Sequence, residues 1–319
     1  MDKIDLSVIV PFYNEEENLP ILHSELIRVL KSIKLNCEII YVNDGSSDES
    51  LGELKNSIEK ENSGGIDIKI VNFRKNFGQT AAVSAGIEKS KGNLVSFLDA
   101  DLQNDPNDIP RFLGKLDEGY DAVFGWRKER KDATLRSFLS RSANRIINWV
   151  FSYPYHDVGC SARIVKKEYL KDIELYGELH RIMPVLIYLK GAKIGEIVVK
   201  HKGRTKGKSK YGFNRIVKAL IDIITVKFLN SYGTKPAYVF GSFGFGCFIL
   251  SLLLTVVILF RQIVLDINVT SGSLMLTIIL LVFLGVQLIM TGLLAELQVR
   301  TYFESQGKPI YEIKEEWHF

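Results

Sequence analysis

A chain of 319 residues is long enough for one large α/β domain with a buried core and a smaller appendage. Its net charge of +4 is modest, but basic residues gather between Lys200 and Lys210, a cluster suited to phosphate, to an anionic membrane surface or to a solvated loop. Cys37, Cys160 and Cys247 lie far apart and show none of the paired spacings of a zinc site or disulfide framework, and Met1 leads into an apolar strand without a cleavable signal, so the amino-terminal domain is expected in the cytosol.

Taken in chain order, residues 6–12, 38–43, 66–73, 94–98 and 122–124 are predicted strands, separated by predicted helices at 16–33, 50–60, 80–89 and 109–116. Continuous apolar strands alternating with single helices predict a mainly parallel sheet covered on both faces, with ligands beyond the carboxyl ends of the strands. The first strand ends in Val10-Pro11-Phe12-Tyr13-Asn14-Glu15 and the second in Val42-Asn43-Asp44-Gly45-Ser46-Ser47-Asp48. Such acidic and amide side chains can hold a nucleotide, and they are also what any strand-to-helix turn prefers. A Gly-x-Gly-x-x-Gly after the first strand is missing, which argues against a nicotinamide or flavin dinucleotide. The fourth strand runs into Asp99-Ala100-Asp101-Leu102-Gln103. Two carboxylates one residue apart can put hard oxygens on a divalent ion and leave positions open for diphosphate and water. Capping does not account for them, because Asp105-Pro106 is the expected start of the next helix.

Beyond the fifth strand the pattern predicts a helix at 135–151, a polar turn at 157–162, a pair of helices ending near Lys190 and a strand at 193–200. Residues 211–230 place Phe213, Ile216, Val217, Leu220, Ile224 and Phe228 at helical spacing, as an interfacial helix or a core-facing helix would. Residues 237–260 and 274–295 carry no formal charge and are long enough to cross about 30 Å of hydrocarbon, which predicts two transmembrane helices. The loop between them holds one basic residue, whereas both flanks are basic, so both ends are expected in the cytoplasm. The Asn268-Val269-Thr270 triplet lies in that short loop and carries no functional weight.

Pro11-Phe12-Tyr13-Asn14-Glu15, Asn43-Asp44-Gly45-Ser46, Arg74-Lys75-Asn76-Phe77-Gly78-Gln79 and Asp99-Ala100-Asp101-Leu102-Gln103 together resemble family 2 glycosyltransferases of GT-A fold. The branch resembled is the bacterial, membrane-anchored polyisoprenyl-phosphate glycosyltransferases, relatives of dolichyl-phosphate mannose synthase; Gly207-Lys208-Ser209-Lys210-Tyr211 and the two terminal spans also match. The resemblance implies a cytoplasmic catalytic domain at 1–210, an interfacial helix region at 211–235, a two-helix membrane region at 236–298 and a cytoplasmic tail at 299–319. It implies a nucleotide-sugar site of Pro11, Tyr13, Glu15, Asp44, Gly78, Asp99, Ala100 and Gln103, and a Mg²⁺ or Mn²⁺ site of Asp99, Asp101 and Gln103. Asp101, Arg127 and Asp157 are the implied catalytic residues. Asp157 stands where relatives carry an acidic residue near the acceptor, as a base or as an orienting group. Arg127 is a candidate phosphate ligand or a surface charge, and Arg136, Arg141, Arg204, Lys208 and Lys210 are candidates for the acceptor phosphate. His180-Arg181 borders the acceptor channel or is structural.

The implied reaction is inverting transfer of a sugar, glucose from UDP-glucose as first choice, to undecaprenyl phosphate at the cytoplasmic face of the inner membrane. The implied partners are donor, lipid, bilayer and further copies of the chain, and no nucleic acid. A processive polysaccharide synthase and a non-catalytic nucleotide-binding membrane scaffold are the alternatives; the Gln-x-x-Arg-Trp element and extra spans of the former are not found in the sequence.

Overall fold

The computed structural model describes residues 3–128, 144–145, 147–171, 173, 175, 179–200, 225–228, 236–264 and 272–306. The chain divides into two units, Met1–Ile223 and Ile224–Phe319. The described strands of the first unit are β1 (Leu6–Phe12), β2 (Cys37–Asn43), β3 (Asp67–Asn72), β4 (Leu94–Phe97), β5 (Ala122–Trp126), β6 (Arg163–Lys166) and β7 (Ile194–Val198), forming one sheet in the order β3-β2-β1-β4-β6-β5-β7. Its helices include α1 (Leu19–Lys31), α2 (Ser50–Lys60), α3 (Gln79–Lys89), α4 (Ile109–Leu116) and α5 (Met183–Leu189).

Every residue of β1 and β2 is buried, as expected of parallel strands covered on both faces. Alternation sorts their side chains between two layers. Leu6, Val8, Val10, Ile39 and Tyr41 join Leu22, Leu26 and Phe112 in one core, while Ile40 and Val42 pack with Ala82 of α3 in another. On the α3 side a Cβ at Gly86 would lie 2.4 Å from Ile9 Cγ2, so only glycine lets that helix come so close. The one buried acid of β2, Glu38, accepts from Ser7 Oγ (2.6 Å), Lys69 Nζ (2.5 Å) and the Lys91 N–H (2.5 Å).

Two expectations need correction. Residues 163–166, expected within a pair of helices, form β6, antiparallel to both β4 and β5. Four residues are too few to display a period, and the strand exists because two neighbours supply its hydrogen bonds. Helix α1 begins at Leu19 instead of residue 16, because Asn14 takes a positive φ of 56° and the Glu15 carbonyl receives the N–H groups of Asn18 and Leu19.

In the second unit residues 225–228 are helical, followed by α6 (Pro236–Ile263) and α7 (Gly272–Gln306). Both are long and apolar enough to cross a membrane, and only 11% of each apolar window is buried, which sets them apart from core helices. They pack on one another through small residues. Added Cβ atoms at Gly244 and Gly285 would each come within 2.9 Å of the other's carbonyl oxygen, and one at Gly292 would meet Phe240 at 2.9 Å. Apart from residues 225–228, the expected interfacial helix lies outside the described residues, as does 135–143 of the helix expected before residue 151.

Candidate active site

Strand β1 has β2 on one side and β4 on the other, so the loops leaving their carboxyl ends open a crevice at the point where the strand order reverses. The β1 and β2 loops are laced together. Asn14 donates its N–H to Ser46 Oγ (3.0 Å), its Oδ1 accepts from the Ser47 N–H (2.8 Å), and the Glu15 N–H donates to Ser50 Oγ (2.7 Å). Pro11 is buried inside β1, while Tyr13 and Glu15 are partly exposed; Glu15 accepts from Asn18 Nδ2 at 2.6 Å.

Asp44 has a task that sequence reasoning missed. Its carboxylate, 4% exposed, accepts the N–H groups of Phe77 (2.7 Å) and Gly78 (3.0 Å), which fastens the loop after β3 across the end of β2. Burial pushes the Asp44 carboxyl up, and those two N–H groups offset part of the rise. Gly45, at φ +69°, must be glycine, because a Cβ there would lie 2.3 Å from the Lys75 carbonyl carbon. Beside this junction a cleft of about 390 Å³ is lined by Gly45, Ser46, Lys55, Asn72 and Arg74 among others.

The loop after β4 carries Asp99 and Asp101. Leu102 takes φ +58°, a conformation that costs a non-glycine residue on the order of 1–3 kcal/mol, and the turn brings the Gln103 N–H to Asp101 Oδ1 at 3.2 Å. Asp99 Oδ1 accepts from Gln79 Nε2 at 2.8 Å, and Asp99 also bonds the Ser161 hydroxyl, which accepts in turn from Asn104 Nδ2 at 2.7 Å. Burial, and then the neighbouring Asp101 charge, push the Asp99 carboxyl up against the opposing pull of Ser161, Arg163 and Arg127. A carboxylate raised by burial and by a neighbouring carboxylate suits a divalent cation, whose charge reverses the effect. Among the described residues no group of three or more acidic, histidine or cysteine ligands gathers, so a cation on Asp99 and Asp101 would need further oxygen ligands from elsewhere.

At the end of β5, Arg127 and Asp157 form a two-pronged pair: Nε to Oδ2 at 2.7 Å and Nη2 to Oδ1 at 2.9 Å. The Arg127 and Gly159 N–H groups add bonds to the same carboxylate, each of 3.2 Å. β5 is separated from β4 only by β6, and the charge of Arg127 reaches Asp99 across it. His180 is buried: its Nδ1 meets Thr80 Oγ1 at 2.5 Å, and burial, with Arg181 and Arg163, pulls it down to about 3, where it is neutral at physiological pH.

The structure therefore gathers Asp99, Asp101, Gln103, Arg127 and Asp157, and adds Gln79, Ser161 and Arg163, which sequence reasoning missed. Gln79 lay within the motif ending at that residue. Ser161 and Arg163 have no local signal, since only the pairing of β6 brings them to β4. Arg136, Arg141, Arg204, Lys208 and Lys210 lie outside the described residues.

A mainly parallel sheet with acidic loops at its switch point and a paired carboxylate on the central β4 defines a sugar-nucleotide-binding α/β domain of GT-A type. The chain belongs to glycosyl transferase family 2, whose model matches residues 7–174. It is 35% identical to dodecaprenyl-phosphate galacturonate synthase of Rhizobium johnstonii, over 99% of this chain and 94% of that one. It is 34% identical to undecaprenyl-phosphate 4-deoxy-4-formamido-L-arabinose transferase of an Enterobacter species, over 97% and 92%. The fold is similar to that of Mycobacterium tuberculosis glucosyl-3-phosphoglycerate synthase, solved with Mn²⁺, UDP and product, at TM-score 0.55 and 15% identity over 71% of this chain and 80% of that one. The same enzyme with Mn²⁺ and UDP-glucose aligns at TM-score 0.53 and 15% identity, over 70% and 79%.

Proposed function

We propose that the protein transfers a sugar from a nucleotide diphosphate donor to a polyprenyl phosphate, with inversion at the anomeric carbon. The observation that carries the reading is the Asp99/Asp101 pair at the switch point of a chain that also has two helices of membrane length. The names of the two relatives, each a polyprenyl-phosphate sugar transferase matched over nearly its whole length, support the same acceptor class.

The lipid phosphate oxygen attacks the anomeric carbon; the new carbon–oxygen bond forms as the bond to the diphosphate breaks, and the nucleoside diphosphate leaves with the electron pair. A divalent cation, Mg²⁺ or Mn²⁺, held by Asp99, Asp101 and Gln103 would offset the charge growing on that leaving group. Tyr13, Glu15 and the Asp44–Gly78 junction form the nucleotide side. Arg127, fixed by Asp157, faces phosphate. Asp157 acts as an orienting group: both its oxygens are engaged by Arg127, and a phosphate monoester with its second pKa near 6 needs little proton removal at about pH 7. Residues 1–210 form the catalytic domain on the cytoplasmic side, both termini lie there, and Arg136, Arg141, Arg204, Lys208 and Lys210 serve the acceptor phosphate near the bilayer. Self-association is part of the same reading.

For the sugar, glucose from UDP-glucose is joined by nucleotide-activated galacturonate and 4-deoxy-4-formamido-L-arabinose, the sugars named in the two relatives. The test is incubation of purified protein with each labelled donor, Mg²⁺ and undecaprenyl or dodecaprenyl phosphate. Label in the organic phase, lost in Asp101→Asn, is the expected result. Aqueous polymer points to a processive synthase, and no product with any donor points to a scaffold.

A further inference from the structure

We infer that Arg163 is a positioning residue that sets how tightly the Asp99/Asp101 pair takes a cation: its fixed positive charge beneath Asp99 keeps the pair weakly attractive until a diphosphate arrives. The inference rests on the function proposed above and assigns a task to a residue on a strand that local sequence patterns do not reveal.

Arg163 opposes Phe97 in the antiparallel β4–β6 register, two residues before Asp99 on one strand and two after Ser161 on the other. Alternation along the strands puts Arg163 and Ser161 on one face, and the Ser161–Asp99 bond continues the pairing one step beyond the ladder. The guanidinium carbon lies 5.1 Å from the centroid of the Phe97 ring, and Nη2 donates to the His180 carbonyl at 3.3 Å. The residue is 4% exposed, and among the described residues its Nε has no hydrogen-bond partner.

A buried cation with an orphaned donor is a costly thing for a core to hold. Methionine would fill the same volume without that cost, so packing alone does not account for arginine. The charge that answers it is Asp99. A guanidinium keeps its proton at neutral pH even when buried, so Arg163 is charged. The two loop carboxylates carry two negative charges; Arg127 nearby is answered by Asp157, and Arg163 offsets one of the two. A lone divalent cation then meets a site of roughly one net negative charge. A diphosphate adds negative charge to the same place, so cation and donor enter as mutually dependent ligands, and the cation is not held tightly once the nucleotide has left.

The experiment is Mn²⁺ titration, read by electron paramagnetic resonance, of the full-length detergent-solubilised protein, with and without UDP and, as a second probe, GDP. Wild type, Arg163→Met and Arg163→Lys are compared. Arg163→Met is expected to bind Mn²⁺ alone about tenfold more tightly than wild type, to gain less from nucleotide, and to keep its melting temperature. Arg163→Lys should return both affinities toward wild type. Mn²⁺ affinity in folded Arg163→Met that equals or falls below wild type overturns the inference while leaving the transferase reading intact. Should Arg163→Met not fold, wild type decides: Mn²⁺ held as tightly without either nucleotide as with it overturns the inference. Failure of wild type to bind Mn²⁺ under any condition sinks both readings.

Discussion

Asp157 and Arg127 hold each other through two charge-assisted bonds, and this geometry separates two roles that the residue types alone leave open. A base must have a lone pair for the incoming proton, whereas an orienting carboxylate spends its lone pairs on its partner. Asp157→Asn should lower turnover on the lipid phosphate by about ten- to a hundredfold, and steady-state kinetics against pH should give a profile of the same shape as wild type. Loss of the limb on the acidic side in the variant would restore Asp157 as the base. Asp99 and Asp101 were legible as a candidate site because their chemistry is written in three consecutive residues. Gln79 and the Ser161–Arg163 stretch come to Asp99 from two segments distant in the chain, and no spacing rule links them to it.

At the scale of elements, Glu38 shows how a buried charge ties the sheet. Burial alone would raise its carboxyl, but Lys69, then Ser7 and the Lys91 N–H, hold it below the ordinary glutamate range. The unfolded chain therefore takes up this proton first. The stability Glu38 contributes is complete above the unfolded value of about 4.3 and is lost as pH falls through the lower folded value. Glu38→Gln should cost roughly 1–3 kcal/mol at pH 7 in urea unfolding, and its deficit against wild type should narrow as pH drops below about 4. A deficit that is constant across that range would remove the carboxylate from the account. In the helix pair, Gly285→Val forces a side chain to within 2.9 Å of the Gly244 carbonyl oxygen and Phe248. The separation of α6 and α7 should cost about 1–3 kcal/mol, measured as a lower SDS-unfolding midpoint of the detergent-solubilised protein.

For the whole molecule, the division near residue 224 and the self-contained sheet of the first unit predict that the chain cut after Asn230 still folds and binds nucleotide. The donor affinity should stay within about threefold of wild type, while turnover on bilayer-embedded lipid phosphate falls at least about tenfold, because the local concentration supplied by anchoring is gone. Calorimetry with UDP and a vesicle assay read the two quantities separately; full activity of the truncated chain on vesicles would refute the anchoring role of α6 and α7. The alternation of apolar strands and single helices, the five strands β1 to β5, the paired Asp99 and Asp101 and the two long apolar helices were all fixed by the chain itself, since each depends on neighbours a few residues apart. The insertion of β6, the closure of the β3 loop on Asp44, the pairing of Arg127 with Asp157 and the charge beneath Asp99 were decided only in three dimensions, because each joins segments about thirty or more residues apart whose contact no local periodicity encodes.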